Sequence, residues 1–314
     1  MSLEQVRNFL GIKELSRQNI ELILQTASAM KDVIARDIKK VPALRGKAIC
    51  TVFFESSTRT RTSFETAAKY LGADTVNLNI ATSSIQKGET LKDTIKTLES
   101  MGFDIMVMRH YQSGGPALAA KHAQHMRIVN AGDGANEHPT QALLDMLTVQ
   151  QHFGKLEHLK IVIVGDILHS RVARSNIYAW KKFGCEVRVV GPPTLMPAEI
   201  DQLGVQVFTD LEEALTDADV INVLRIQLER QKSGLFPSLS EYAQYFILNE
   251  QRLKRAADRA IILHPGPLNR GVEISSLVAD SPQSKVTTQI KNGVAVRMAV
   301  LFLMLGGKKD GFIA

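Results

Sequence analysis

Apolar positions along the chain follow two alternating periods. Residues 47–54 form a dense run in which Ile49, Thr51, Val52, Phe53 and Phe54 supply the β-branched and aromatic content of a buried strand. Residues 58–71 then switch to helical spacing. The exchange repeats as a strand at 74–79, a helix at 90–101, a strand at 105–108, a helix at 117–125 and a strand at 128–130. Upstream, Ile20, Leu22, Ile23, Ala27 and Met30 mark a helix over 16–34 with Ser16 as its cap. Residues 138–152 read as one helix, with Pro139 acceptable in the first turn and Leu143, Leu144, Leu147 and Val149 as apolar positions. The pattern restarts at 160–166, a strand ending in Gly165-Asp166, followed by a helix over 171–183. Strands at 186–190, 206–208, 220–224 and 260–263 come next, separated by helical or loop segments.

Strands alternating with helices predict an α/β fold: two domains, each with a central parallel sheet flanked by helices. The 314 residues are enough for two cores. The restart after Phe153-Gly154 places the boundary near Gly154, giving domains 1–153 and 154–292. Residues 293–305 are apolar on nearly every side, so that helix must be packed on more than one face.

Composition changes this picture little. Ordinary charged and apolar fractions indicate a soluble globular protein, and no apolar run is long enough to cross a bilayer. Residues 1–10 lack a basic stretch followed by a long apolar one, so a cytoplasmic location is expected. Cys50 and Cys185 lie far apart without metal spacing and read as reduced, buried thiols. A net charge of +6 favours anionic partners. The basic residues are scattered, with short clusters at 36–40 and Lys308-Lys309 and no interleaved aromatics, which argues against nucleic acid. Gly165 is followed by Asp166, Ile167, Leu168, His169 and Ser170, so the glycine run of a dinucleotide site is missing. A nucleotide-triphosphate loop is also missing.

The chemistry concentrates where the first strand meets its helix, in Glu55-Ser56-Ser57-Thr58-Arg59-Thr60-Arg61. The first turn of a helix has backbone N–H groups without internal partners, at the positive end of its dipole. That is an anion site before any side chain is added. Ser57, Thr58 and Thr60 add hydroxyls, while Arg59 and Arg61 add planar donor forks suited to phosphate oxygens. The bland alternative is a capped surface helix with solvated arginines. The density of hydroxyl and guanidinium groups at one strand end favours phosphate.

Ser57-Thr58-Arg59-Thr60-Arg61 resembles the signature of the aspartate and ornithine carbamoyltransferases. The resemblance continues in order through Lys87-Gly88-Glu89-Thr90, His138-Pro139-Thr140-Gln141, Gly165-Asp166 with Arg171, Arg225-Ile226-Gln227 and His264-Pro265-Gly266-Pro267. It implies transfer of a carbamoyl group from carbamoyl phosphate to an amino acid, without metal or organic cofactor. Ser57, Thr58, Arg59 and Thr60 would hold the phosphate. Arg109 would contact phosphate or the carbonyl oxygen, and His138 would donate to that oxygen. Gln141 and the backbone carbonyls of Gly266 and Pro267 would take the carbamoyl nitrogen. This chain has Gly266 where leucine is frequent in the family, which leaves a backbone role intact.

Read without the resemblance, Arg109 after its strand is equally a solvated charge, and Lys87 an exposed lysine in an irregular polar loop. With it, Ser83 and Lys87 belong to a loop that reaches the site of a neighbouring subunit, implying a homotrimer with shared active sites. Arg171 and Arg225, each following a strand of the second domain, can form bidentate pairs with two carboxylates, and Gln227 lies two residues on. That count favours L-aspartate, with Lys87 also reaching it. Ornithine has one carboxylate, and its enzymes carry a His-Cys-Leu-Pro turn that this chain lacks. The resemblance thus implies the aspartate reaction of pyrimidine synthesis; ornithine transfer and a catalytically silent scaffold are the alternatives. It also implies that the last helix returns to the first domain and that regulatory or dihydroorotase subunits are conceivable partners.

Overall fold

The computed structural model describes residues 6–80, 87–227 and 238–306. Ser83 lies outside these residues. The chain divides into two compact units, Met1–Leu144 with Lys291–Ala314, and Asp145–Ile290.

The first unit begins with α1 (Arg17–Ala35), started by Ser16, whose side chain accepts from the Asn19 N–H. Then come β1 (Ala48–Phe53), α2 (Thr58–Tyr70), β2 (Asp74–Leu78), α3 (Leu91–Ser100), β3 (Ile105–His110), α4 (Gly115–His122), β4 (Arg127–Asp133) and the opening of α5 (Pro139–Phe153). The four strands are parallel in the order β2-β1-β3-β4. Because the chain steps outward from β1 to β2 and then returns to the far side of β1 for β3, the order reverses between β1 and β3. Open α/β sheets bind ligands at such a reversal, outside the carboxyl ends of the strands. The motif that opens α2 follows β1 directly.

The second unit continues with β5 (Lys160–Val164), α6 (Arg171–Lys182), β6 (Glu186–Val190), β7 (Gln206–Phe208), α7 (Leu211–Leu215), β8 (Val220–Val223), α8 (Leu239–Phe246), α9 (Glu250–Leu253), β9 (Ile261–Leu263) and α10 (Ser276–Ala279). Its parallel sheet has the order β7-β6-β5-β8-β9. The reversal falls between β5 and β8, the strands that precede Arg171 and Arg225. Ile161, Val162, Ile163 and Val164 of β5 are all fully buried, as a central strand covered on both faces requires. Burying each contributes about 1.5–3 kcal/mol.

Two details differ from the sequence reading. β3 runs through Arg109 to His110, so Arg109 is a strand residue paired with Phe53 rather than one following the strand. The last helix, α11 (Val286–Met304), starts before residue 293, because Thr287, Thr288 and Gly293 are weak helix formers that hide its opening turns. The division of the compact units falls between Leu144 and Asp145, inside α5, and again between Ile290 and Lys291, inside α11. From Ala295 to Met304, α11 is buried throughout. No helix of the described residues is long and apolar enough to cross a membrane.

Candidate active site

In the first unit, Ser57 occupies the N-cap position of α2 in extended conformation, yet its side chain makes no capping hydrogen bond. The Ser57 hydroxyl therefore does not occupy the first turn as a cap, and a helix start of this kind suits an anion. Thr58 and Arg59 are exposed at this end, while Thr60 is buried. Arg61 points along the helix toward Glu65, 4.0 Å away.

Arg109 reaches the same place from β3. Its Nε donates to Glu55 Oε1 at 2.6 Å, and its Nη1 lies 3.4 Å from the Thr60 hydroxyl. Both partners of the ion pair are mostly buried, at 13% and 20% side-chain exposure. Glu55 was quoted in the sequence motif without a role. Its carboxylate fixes the fork of Arg109.

His138 and Gln141 are both buried, immediately before and within the first turn of α5. The loop ahead of them is tied to Asp133, whose carboxylate accepts from Asn130 Nδ2 at 2.8 Å, Gly114 N at 2.7 Å, Asn136 Nδ2 at 3.1 Å and Glu137 N at 3.2 Å. Glu137 turns back to accept from the amides of Ile12 at 2.7 Å and Lys13 at 3.2 Å. The approach is so close that a Cβ on Gly11 would lie 2.3 Å from Glu137 Oε1. This loop carries no apolar period, so its rigidity was not readable from spacing. Lys87 is exposed, near the start of α3.

A further cation was missed. Arg297 on α11 is only 5% exposed, and its guanidinium carbon sits 5.2 Å from the centroid of Phe64 on α2. Its Nε has no hydrogen-bond partner among the described residues. Burial pushes its pKa down to about 10, so it stays charged at neutral pH. A lone arginine in an apolar helix was the signal in the sequence.

In the second unit, Arg171 is buried as the first residue of α6, with Ser170 as N-cap accepting from the Ala173 N–H. The loop before it is held by buried Asp166, which accepts from the His169 N–H at 3.1 Å and lies 3.0 Å from His169 Nδ1. Arg225 and Gln227 follow β8 and are half-buried. Gln227 Oε1 is a buried acceptor without a partner among the described residues, a group that burial penalises until a donor reaches it.

The turn after β9 is fixed from within. The Gly266 N–H donates to His264 Nδ1 at 2.8 Å, so the imidazole proton lies on Nε2 and faces Glu273 Oε1 at 3.2 Å. The same oxygen accepts from Asn269 N at 2.6 Å. Gly266 has a φ of 64°, which a side chain disfavours, and the Gly266–Pro267 peptide is cis. The unusual glycine of this chain thus suits its backbone. Among the described residues, no group of three or more His, Cys, Asp or Glu side chains could hold a metal ion.

Two family models match the chain: the carbamoyl-phosphate-binding domain of the aspartate/ornithine carbamoyltransferases over residues 7–151, and their aspartate/ornithine-binding domain over residues 157–304. The aspartate carbamoyltransferase catalytic subunit of Syntrophomonas wolfei is 66% identical over 304 residues, 97% of each chain. That of Heliobacterium modesticaldum is 59% identical, covering 98% of this chain and 99% of that protein. Among solved structures, aspartate transcarbamoylase from Trypanosoma cruzi with N-(phosphonacetyl)-L-aspartic acid aligns with a TM-score of 0.87 at 34% identity, covering 96% of this chain and 97% of that one. Ornithine carbamoyltransferase from Pyrococcus furiosus aligns at 0.86 with 31% identity, over 98% of this chain and all of that one (100%). With both halves matched by their own family model and near-full-length relatives this similar, the chain belongs to the aspartate/ornithine carbamoyltransferase family.

Proposed function

We propose that this chain is an aspartate carbamoyltransferase, which moves the carbamoyl group of carbamoyl phosphate to the amine of L-aspartate and releases phosphate. The amine attacks the carbonyl carbon, the bond from that carbon to the phosphate oxygen breaks, and the departing phosphate takes the amine's proton. Atoms and charge balance without a protein base.

The single observation that carries the reading is the start of α2, where the Ser57 side chain makes no cap, beside an Arg109 fork held by Glu55. The amides of that helix start, the hydroxyls of Ser57, Thr58 and Thr60, and Arg59 bind the phosphate. Arg109 and His138 stabilise negative charge growing on the carbonyl oxygen, each such donor worth on the order of 3 kcal/mol in the transition state. Gln141 and the carbonyls of Gly266 and Pro267 take the carbamoyl nitrogen. Buried Arg297 adds positive potential next to α2. Orienting both reactants removes much of the entropic part of the barrier.

Arg171 and Arg225 pair with the two carboxylates of aspartate, and Gln227 supplies a buried acceptor for its amine. Relatives at 66% and 59% identity are named for aspartate, against 31% for the ornithine enzyme. Ser83 and Lys87 complete the site of a neighbouring copy, which makes the working unit a homotrimer in the cytoplasm. The domain limits that match this division of labour are residues 1–153 and 154–292.

The test offers ¹³C-labelled carbamoyl phosphate with L-aspartate and L-ornithine in parallel, identifying products by NMR. N-carbamoyl-L-aspartate alone supports the reading. Citrulline alone would mean that Arg171 and Arg225 do not form a dicarboxylate clamp, and no product with either amino acid would favour the silent scaffold.

A further inference from the structure

The turn that presents the Gly266 and Pro267 carbonyls is anchored to a buried polar chain that no substrate role explains. Gln289, 2% exposed on α11, spends both ends of its amide: its Oε1 accepts from the backbone N–H of His264 at 3.0 Å, and its Nε2 donates to Asp145 Oδ1 at 2.7 Å. Asp145, fully buried on α5, accepts through its other oxygen from Asn176 Nδ2 at 2.9 Å and Asn222 Nδ2 at 3.2 Å. Asn176 is itself fixed by Trp180 Nε1 at 3.1 Å. Beyond Gln289 the chain continues through the His264 ring to Gly266 N and Glu273.

Each of these groups is removed from water, and an unpaired buried amide or carboxylate is costly. A fold needing only stability would fill this space with apolar side chains. The geometry instead consumes the backbone donors on both sides of Pro265, those of His264 and Gly266, and leaves a turn whose carbonyls are set in direction. We propose that Gln289, held by Asp145, is a positioning residue that, with the His264–Glu273 pair, aims the turn's carbonyls at the carbamoyl –NH₂ and so lets the protein distinguish carbamoyl phosphate from phosphate. This rests on the reading of the turn given above. Networks of this kind act as a unit, so breaking one bond loosens the aim of the whole turn.

The test compares equilibrium binding of carbamoyl phosphate and inorganic phosphate by calorimetry, which needs no amino acid and no turnover. In Gln289→Met the affinity for carbamoyl phosphate should fall about tenfold, the worth of roughly one hydrogen bond. Affinity for inorganic phosphate, which lacks the amide, should stay within about twofold of the parent. A second pair guards against a folding defect. His264→Asn keeps an acceptor for the Gly266 N–H and should retain more discrimination than His264→Leu, at matched Tm. Equal weakening of both ligands, or unchanged discrimination in folded Gln289→Met and His264→Leu, would overturn the proposal. A parent protein that binds the two ligands equally would overturn the reading of the turn itself.

Discussion

Arg59 and Arg297 present guanidinium groups in opposite surroundings, and the difference fixes what each substitution should do. Arg59 is exposed at the α2 start, so Arg59→Ala removes charge from the proposed phosphate site without opening a cavity in the core. Its kcat should fall by at least about 10²-fold while circular dichroism and Tm stay those of the parent. Near-normal turnover would remove Arg59 from the site. Arg297 is a buried cation against an aromatic ring. Replacing an incompletely paired buried charge with an apolar side chain of similar length relieves desolvation. Arg297→Met should therefore raise the Tm of the ligand-free protein while phosphate affinity drops, by about tenfold if the charge reaches the anion. A lower Tm with unchanged phosphate affinity would make Arg297 purely structural. At this scale the sequence was informative where chemistry is dense in the chain, as from Ser57 to Arg61. It was silent where function is assembled from isolated residues: nothing in the neighbourhood of Glu55 or Gln289 marks them out, and Arg297 is signalled only as a lone arginine in an apolar helix.

Elements were legible to the extent that their periodicity is strong and their ends are signalled. Ser16, Thr90 and Ser170 cap helices as their residue type predicts, each accepting from the amide three residues on. α11 began early because weak helix formers fill its opening turns, and Arg109 fell inside a strand because a charged residue breaks the apolar run without breaking the ladder. The end of α3 shows an element held by a carboxylate. Glu99 accepts from the backbone N–H groups of Gln124, His125 and Met126, just ahead of β4. Burial acts to raise its pKa, but these three donors and the neighbouring His125 outweigh it and hold the carboxyl below its ordinary 4.5. The unfolded chain therefore binds this proton first as pH falls. The contribution is fully present above the unfolded value and is lost as pH drops through the folded one. Urea melts between about pH 6 and pH 3.5 should show Glu99→Gln less stable than the parent at the upper end and converging with it at the lower. A constant gap across that window would mean the carboxylate charge is irrelevant.

For the whole molecule, strand order was beyond the sequence because any parallel order satisfies the same alternation of periods. The structure puts both reversals, between β1 and β3 and between β5 and β8, next to strands that contain or precede the candidate arginines. Assembly is a prediction at this scale. If Lys87 serves the site of a neighbouring copy, light scattering should give a mass about three times that of the 34.7 kDa chain. Mixing Lys87→Ala with Arg59→Ala after reversible dissociation should restore turnover through sites that receive one intact residue from each parent. A monomer, or no recovery on mixing, would confine the site to one chain.

The central claim, a carbamoyl-transfer site that selects two carboxylates, is tested most directly by kcat/KM for L-aspartate against L-ornithine at saturating carbamoyl phosphate, in the parent and in Arg225→Ala. The parent should prefer aspartate by about 10⁴-fold or more, since a site built to pair a buried polar group rejects a substrate that leaves it unpaired. Arg225→Ala should lose most of that preference. A parent that favours ornithine, or an Arg225→Ala protein whose preference is unchanged, would contradict the account.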